Sequence, residues 1–297
     1  MTDHFDGIVL GAGHNALVLQ AYLCRAGLRI VSLERSELPG GGLETIENPR
    51  QPGYLHNTHS FFHRALTAMP WYRDLELVRY GADYLEPDLN VAMILPDGRS
   101  LKWWRDFSRT IESVASFSRR DARTLQRWVE RFRPIVERLL VPEAQSPPLP
   151  ARRRRELLQG SDHGRVLLET SRRSPAEFVR EEFEDPAVRA GLLFFNGLRE
   201  VDLRLPGFGH SVPALLAGSH MAQMCRGGSQ RLAEALVAEV AHDAAAAIYR
   251  TLPGAAAPAA LHPSPVHHPT LLLLDEPTVG LDPDLRSNFW KRFREIA

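Results

Sequence analysis

The sequence contains few cysteines, and the two that it has form no pattern. Cys24 lies early in the 297 residues, and Cys225 lies far from it. Disulfide frameworks and zinc sites need several cysteines or histidines at set spacings. The cysteine content therefore excludes a disulfide-rich secreted domain and fits a reducing compartment, with both thiols buried or inert.

The sequence also lacks long apolar runs and a secretory leader. No run approaches the roughly 18 residues that a membrane-spanning helix needs, and residues 1–10 have neither a basic start nor an apolar core. The composition, 44% hydrophobic and 24% charged, is typical of a globular chain with one large or two ordinary domains. We expect a cytoplasmic protein without an integral membrane segment, and leave peripheral membrane contact and oligomeric state open.

An excess of charge of either sign is absent as well. The 36 lysine and arginine residues balance 36 aspartate and glutamate residues. The chain therefore has no global attraction to nucleic acid or anionic membranes. The basic run at residues 152–155 is typical of a solvated helix face, so we expect no nucleic-acid partner.

The most informative stretch lies near the start, where an apolar strand pattern breaks into the spacing G-x-G-x-x-A. Gly11 permits a tight turn, Gly13 lets the backbone approach a diphosphate, and the small Ala16 lets helix and strand pack closely. A helical pattern follows, and then a second apolar run that ends at Glu34, which can accept the ribose hydroxyls of an adenosine. The stretch predicts a dinucleotide-binding βαβ unit; a glycine turn without a ligand is the alternative.

A second glycine loop, Gly40-Gly41-Gly42, comes shortly after Glu34-Arg35 and precedes Thr45. Glycines let a backbone lie close to a bulky group. The combination of E-R with G-G-x-x-x-T resembles the flavin-dependent amine oxidase and phytoene desaturase superfamily. The resemblance implies FAD as the cofactor and names no catalytic residue. The cofactor-binding residues that it implies are Gly11, Ala12, Gly13, Asn15, Ala16, Glu34, Arg35, Gly40, Gly41 and Gly42.

The similarity extends beyond the glycine loops. Segments such as Pro52-Gly53-Tyr54 and Phe117-Ser118-Arg119 resemble the phytoene dehydrogenase-like branch that includes the pyridine nucleotide-disulfide oxidoreductase domain-containing protein 2 group. The resemblance covers about residues 5–242 and implies oxidation of a small hydrophobic substrate by hydride transfer to flavin. Because members of the family are longer, we expect a truncated enzyme. Whether it still catalyses the reaction stays open.

The predicted fold class is α/β, with a Rossmann-like FAD-binding domain over residues 1–242. This domain contains an inserted α+β substrate region, helical over about 104–200. A hairpin is expected over residues 89–101, around Pro96-Asp97-Gly98. Apolar residues at helical spacing predict amphipathic helices over residues 108–140, with Trp128 and Phe132 in the core, and Ser174 is a candidate helix cap.

The glycine pair Gly227-Gly228 precedes another helical pattern. In the resembled family this element leads into a strand that returns to the FAD domain. Residues 243–268 are instead rich in alanine and proline, so we expect a linker or junction there and no such strand.

Three histidines, His56, His59 and His63, fall close together in the sequence. This spacing raises the question of a metal site. No carboxylate or cysteine completes a ligand set at standard spacing, so a polar loop near the flavin is the favoured interpretation.

The last segment, residues 269–297, carries a second motif. An apolar strand pattern ends in Asp275-Glu276 and is followed by P-T-x-G-L-D-P. This resembles the Walker B strand and D-loop of an ABC transporter ATPase and implies a short strand-helix fragment, in which Asp275 would hold Mg²⁺ and Glu276 would polarise water. Because G-x-x-x-x-G-K-[ST] is absent, these residues would bind metal only in a completed ATPase. Three functions stay open: an FAD-dependent oxidoreductase, a fragment of an ATP-binding transporter component, and a non-catalytic dinucleotide-binding module.

Overall fold

The computed structural model describes residues 5–197, 202–218 and 222–242 and two further strands. The strands are β1 Gly7–Leu10, β2 Ile30–Glu34, β3 Thr45–Glu47, β4 Leu55–Asn57, β5 His63–Arg64, β6 Tyr84–Leu85, β7 Leu89–Ile94, β8 Ser100–Trp104, β9 Ala222–Cys225, β10 Ala246–Arg250 and β11 Leu271–Leu274.

The helices alternate with these strands and cluster in the middle of the chain. They are α1 His14–Arg25, α2 Pro70–Asp74, α3 Phe107–Ala115, α4 Arg119–Ile135, α5 Val141–Ala144, α6 Ala151–Gln159, α7 Asp162–Ser171, α8 Pro175–Glu182, α9 Pro186–Gly197, α10 Ser211–Ala217 and α11 Gln230–His242, with a π-helix at Val136–Leu140. Within the described residues, none of these helices combines the length and the apolar character needed to cross a membrane.

The chain divides into two compact units. The first comprises Met1–Glu86 with Ala222–Ala297, and the second comprises Pro87–Met221. The second unit therefore interrupts the first in sequence, and the region predicted to be helical, about residues 104–200, lies within it.

A four-stranded parallel sheet of order β10-β2-β1-β11 lies in the first unit. Val9 of β1 and Ile30 of β2 are completely buried, as expected for a parallel sheet covered on both faces. β1 pairs with β2 on one side and with β11 on the other. Ligands of open parallel sheets bind beyond the carboxyl ends of the strands at such a switch in strand order. The space after β1 is therefore where a ligand is expected.

One expectation about this sheet is wrong. The segment predicted to be a linker without a strand contains β10, which pairs in parallel with β2 from Ala246↔Ile30 to Arg250↔Glu34. Alanine is depleted in strands, so the alanine-rich sequence hid this element. The open edge of β2 offers backbone donors and acceptors that need partners, and this tertiary context outweighs the local propensity.

The second unit confirms three local predictions. β7 and β8 form the expected antiparallel hairpin. The helices α3 and α4 occupy the amphipathic segment, and Trp128 and Phe132 are buried in the core of this unit. Ser174 caps α8 as predicted: its hydroxyl accepts from the Glu177 N–H, while the Glu177 carboxylate accepts from the Ser174 N–H.

Candidate dinucleotide-binding site

The first glycine loop lies at the carboxyl end of β1 and is tied to its neighbours by backbone hydrogen bonds. The Gly11 N–H donates to the Leu33 carbonyl at 2.8 Å, and the Ala12 carbonyl accepts from the Gly40 N–H at 2.7 Å. Gly13 and Gly40 also form an isolated parallel bridge. The structure therefore brings the two predicted glycine loops together beside β2.

Helix α1 begins directly after this loop. Gly13 is its N-cap, and no side chain of the described residues caps the helix. Its first backbone N–H groups and the positive end of its dipole are therefore left for a ligand. Ala16 is buried under the first turn, whereas Asn15 is exposed. This arrangement suits an anion such as a diphosphate.

The space between the glycine loops depends on the absence of side chains. A Cβ atom on Gly41 would lie 3.4 Å from the Gly13 Cα atom, and one on Gly40 would lie only 2.6 Å from the Ala233 Cβ atom. The lack of a Cβ atom at Gly41 leaves the space beside Gly13 free, and its lack at Gly40 lets α11 pack against the loop. A cradle of bare backbone is the fit expected for the diphosphate of FAD.

Glu34 lies at the end of β2 with 8% of its surface exposed. Its Oε2 atom accepts from the Ala12 N–H at 2.7 Å, and its Oε1 atom accepts from the Ser36 N–H at 2.8 Å. These bonds hold the carboxylate beside the first glycine loop, which is the position expected of a ribose-binding acid. Arg35, the next residue, is exposed.

The glycine pair before α11 has a different role from the first loop. The Gln230 N–H donates to the Thr45 hydroxyl at 3.0 Å, and the Ser229 N–H donates to the Asn57 Oδ1 atom at 2.9 Å. The Thr45 hydroxyl in turn donates to Asn57 Oδ1 at 2.7 Å. The backbone N–H groups at the start of α11 are therefore bound by protein side chains. The motif G-G-x-x-x-T pointed to Thr45, but no sequence signal pointed to Asn57.

The three neighbouring histidines occupy different environments. His56 and His59 are exposed, and the His59 ring lies against Gly42. His63 is 6% exposed, and its Nδ1 atom lies 2.7 Å from the Tyr84 hydroxyl. Across the described parts of the chain, no three potential ligands lie together in a way that could hold a metal ion.

His63 lies in the three-stranded antiparallel sheet β5-β9-β6, together with Tyr84 and Cys225. Burial, with an added electrostatic effect of His14, lowers the pKa of His63 from 6.5 to about 4. Burial also raises the pKa of the Tyr84 phenol and that of the Cys225 thiol. At neutral pH all three groups of the sheet are therefore uncharged.

Acidification is expected to destabilise the fold through His63. Because the folded pKa of about 4 lies below the ordinary value of 6.5, the unfolded chain binds more protons between these values, so stability falls as the pH decreases. The protonation of His63 lowers the free energy of unfolding by at most about 3 kcal/mol. Urea unfolding at pH 7 and at pH 4.5 measures it. His63→Gln is expected to lose less stability than the wild type, and equal losses would contradict the assignment.

Some curated relatives of the chain are oxidoreductases by name. Over 232 residues, or 78% of the chain, it is 29% identical to a limonene dehydrogenase subunit of Castellaniella defragrans and covers 42% of that protein. Over 139 residues it is 32% identical to pyridine nucleotide-disulfide oxidoreductase domain-containing protein 2 of Rattus norvegicus and covers 23% of it. The chain thus spans less than half the length of these relatives. No family model matches it.

Solved structures show which fold the chain has. A putrescine oxidase variant with redesigned cofactor binding superposes with a TM-score of 0.52 and 14% identity, over 82% of this chain and 50% of that one. The chain has an amine-oxidase-like fold. Rab GDI of Plasmodium falciparum also superposes on this chain, with a TM-score of 0.52 and 12% identity over 83% of this chain and 58% of that one. The fold alone therefore does not assign an activity.

The ATPase resemblance of the tail gains no support from these proteins. The backbone of β11 pairs with β1 in the parallel sheet of the amine-oxidase-like fold, from Gly7↔Leu271 to Leu10↔Leu274. Asp275 and Glu276, the residues predicted to act on Mg²⁺ and water, lie outside the described residues.

Proposed function

We propose that this chain is the FAD-binding part of an FAD-dependent oxidoreductase of the dehydrogenase or desaturase type, which oxidises a hydrophobic substrate by hydride transfer to flavin. The observation that carries the proposal is the cradle of two glycine loops beside Glu34, at the switch point of a parallel sheet. The open start of α1 would bind the diphosphate, and the Glu34 carboxylate would bind the adenosine ribose.

The bound cofactor would supply the two-electron acceptor, and the chain would supply binding and orientation. The residues proposed to line FAD are Gly11, Ala12, Gly13, Asn15, Ala16, Glu34, Arg35, Gly40, Gly41 and Gly42. The name of the relative from Castellaniella defragrans specifies limonene, an apolar hydrocarbon, which supports a hydrophobic substrate here.

The purified chain tests this proposal directly. We expect a yellow protein with flavin absorbance, or a colourless one that turns yellow on addition of FAD. A chain that binds ADP or NAD but not FAD would favour the alternative of a non-catalytic dinucleotide-binding module.

Glu34→Gln is expected to weaken FAD and ADP binding by about tenfold to 100-fold, because hydrogen bonds to charged groups contribute about 1.5–3 kcal/mol. Titration followed by flavin fluorescence, or calorimetry for ADP, measures the effect. Glu37→Gln is the matched control, since Glu37 is an exposed acid three residues away. Similar weakening in both variants would show that net charge, and not the ribose contact, controls affinity.

The ATPase interpretation is open to a separate test. Magnesium-dependent ATP hydrolysis by the purified chain, abolished by Glu276→Gln, would support it. The absence of a phosphate-binding loop in the sequence leads us to expect no hydrolysis.

A further inference from the structure

His63 carries a buried nitrogen atom for which no described residue provides a partner. The side chain is 6% exposed, and its Nε2 atom has no hydrogen-bond partner among the residues that the structure describes. Buried polar atoms in folded proteins nearly always have a partner, either a protein group, water or a ligand. The atom therefore points to a group that binds beside it.

The hydrogen bonds of His63 determine which kind of group this is. Its Nδ1 atom lies 2.7 Å from the Tyr84 hydroxyl, which also hydrogen-bonds the Cys225 thiol. An imidazole nitrogen is a much stronger acceptor than a thiol sulfur, so the Tyr84 hydroxyl donates to Nδ1. Since the imidazole is neutral at pH 7, its one proton lies on Nε2. The unpartnered atom is thus an N–H donor.

His63 is also close to the cradle. His14, the first residue of α1, acts electrostatically on the His63 ring. Three residues before His63, the Ser60 N–H donates to the Gly42 carbonyl at 3.0 Å, which ties this segment to the second glycine loop. The donor therefore lies in the neighbourhood where the dinucleotide is proposed to bind.

We propose that the His63 Nε2–H group donates a hydrogen bond to an acceptor atom of the bound dinucleotide and so positions it in the cradle. The inference rests on the proposed function, because it takes FAD as the ligand. Nothing in the amino-acid sequence distinguished His63 from His56 and His59; its burial and its bond to Tyr84 do.

Titrations with FAD and with ADP test the inference on three forms of the chain. His63→Phe keeps an aromatic ring but removes the donor, and is expected to weaken FAD binding by about tenfold or more. Tyr84→Phe keeps the imidazole but removes the bond that holds its proton on Nε2, so its affinity for FAD is expected to fall less than that of His63→Phe. Equal weakening for ADP would place the acceptor in the ADP half of the cofactor, and weakening for FAD alone would place it in the flavin half.

Nitrogen NMR of the wild-type chain with labelled histidine gives a readout that does not depend on how the variants fold. The His63 spectrum is expected to show a protonated Nε2 that shifts on addition of FAD. Equal FAD affinity of wild type and His63→Phe, or an Nε2 signal that FAD leaves unchanged, would overturn the inference while the proposed function stands. A wild-type chain that binds no FAD would overturn both.

Discussion

Gly41→Ala is expected to weaken FAD and ADP binding by about tenfold to 100-fold while the chain stays folded, because the added methyl group would compete with the bound diphosphate for space, and overpacking of this kind costs about 1–3 kcal/mol. The added Cβ atom would lie 3.4 Å from the Gly13 Cα atom, a distance that the protein itself tolerates. It would occupy the gap between the two loops, where the diphosphate is proposed to bind. Fluorescence titration with FAD and calorimetry with ADP measure the change.

Gly27→Ala is the matched control for this substitution. Both glycines have left-handed backbone, with φ of +57° at Gly41 and +87° at Gly27. Alanine in this region costs about 1–2 kcal/mol in either place. A Cβ atom on Gly27 would meet no atom within 4 Å, so this variant is expected to lose stability and retain affinity. Weakened binding in both variants would show that backbone strain, and not space in the cradle, explains the effect.

Gly228→Ala is expected to destabilise the first unit by about 3–5 kcal/mol, the largest loss of stability that we predict. Its φ of +103° is strained for alanine, and the new Cβ atom would lie 2.7 Å from Thr45 Cγ2 and 2.8 Å from Thr45 Oγ1. Thr45 would have to move, and its hydrogen bonds to Gln230 and Asn57 would be disturbed. Urea unfolding followed by circular dichroism measures the loss.

A substitution at the neighbouring Gly227 distinguishes the cost of backbone strain from the cost of the contact with Thr45. Gly227 also has left-handed backbone, with φ of +83°, but a Cβ atom there would meet only the Arg231 side chain, at 3.4 Å or more. Gly227→Ala is therefore expected to lower the free energy of unfolding by only about 1–2 kcal/mol, the cost of placing alanine in left-handed backbone. Equal losses in the two variants would contradict a specific role for the contact between Gly228 and Thr45.

Structural elements that depend on interactions between residues close in the sequence could be predicted from the sequence. The spacing of Gly11, Gly13 and Ala16 predicted the strand, turn and helix around the first loop, and the run before Glu34 predicted β2. The capping box at Ser174 follows the same logic, because a hydroxyl and a carboxylate three residues apart satisfy each other's backbone groups. In each case the interacting atoms lie within a few residues, so the pattern contains the whole interaction.

Features that depend on contacts between residues far apart in the sequence could not be predicted. The strand β10 was missed because its short run Ile248-Tyr249 lies in an alanine-rich segment, and its pairing with the edge of β2 is a contact between distant parts of the chain. Asn57 was missed because its partner, the Ser229 N–H, is 172 residues away. No sequence pattern ranked His63 above its neighbours, since its bond to Tyr84 forms across a sheet.

By itself, the sequence determined that this chain builds a βαβ unit with a bare backbone turn after its first strand, since glycine spacing and apolar periodicity act over a few residues. Only the tertiary structure decided which helix start stays open. Among the described residues no side chain caps α1, whereas Thr45 and Asn57 bind the start of α11. Both helices follow glycines in the sequence. They differ because packing brings a hydroxyl and an amide to α11, whereas α1 keeps the open N-terminus that the proposed diphosphate site requires.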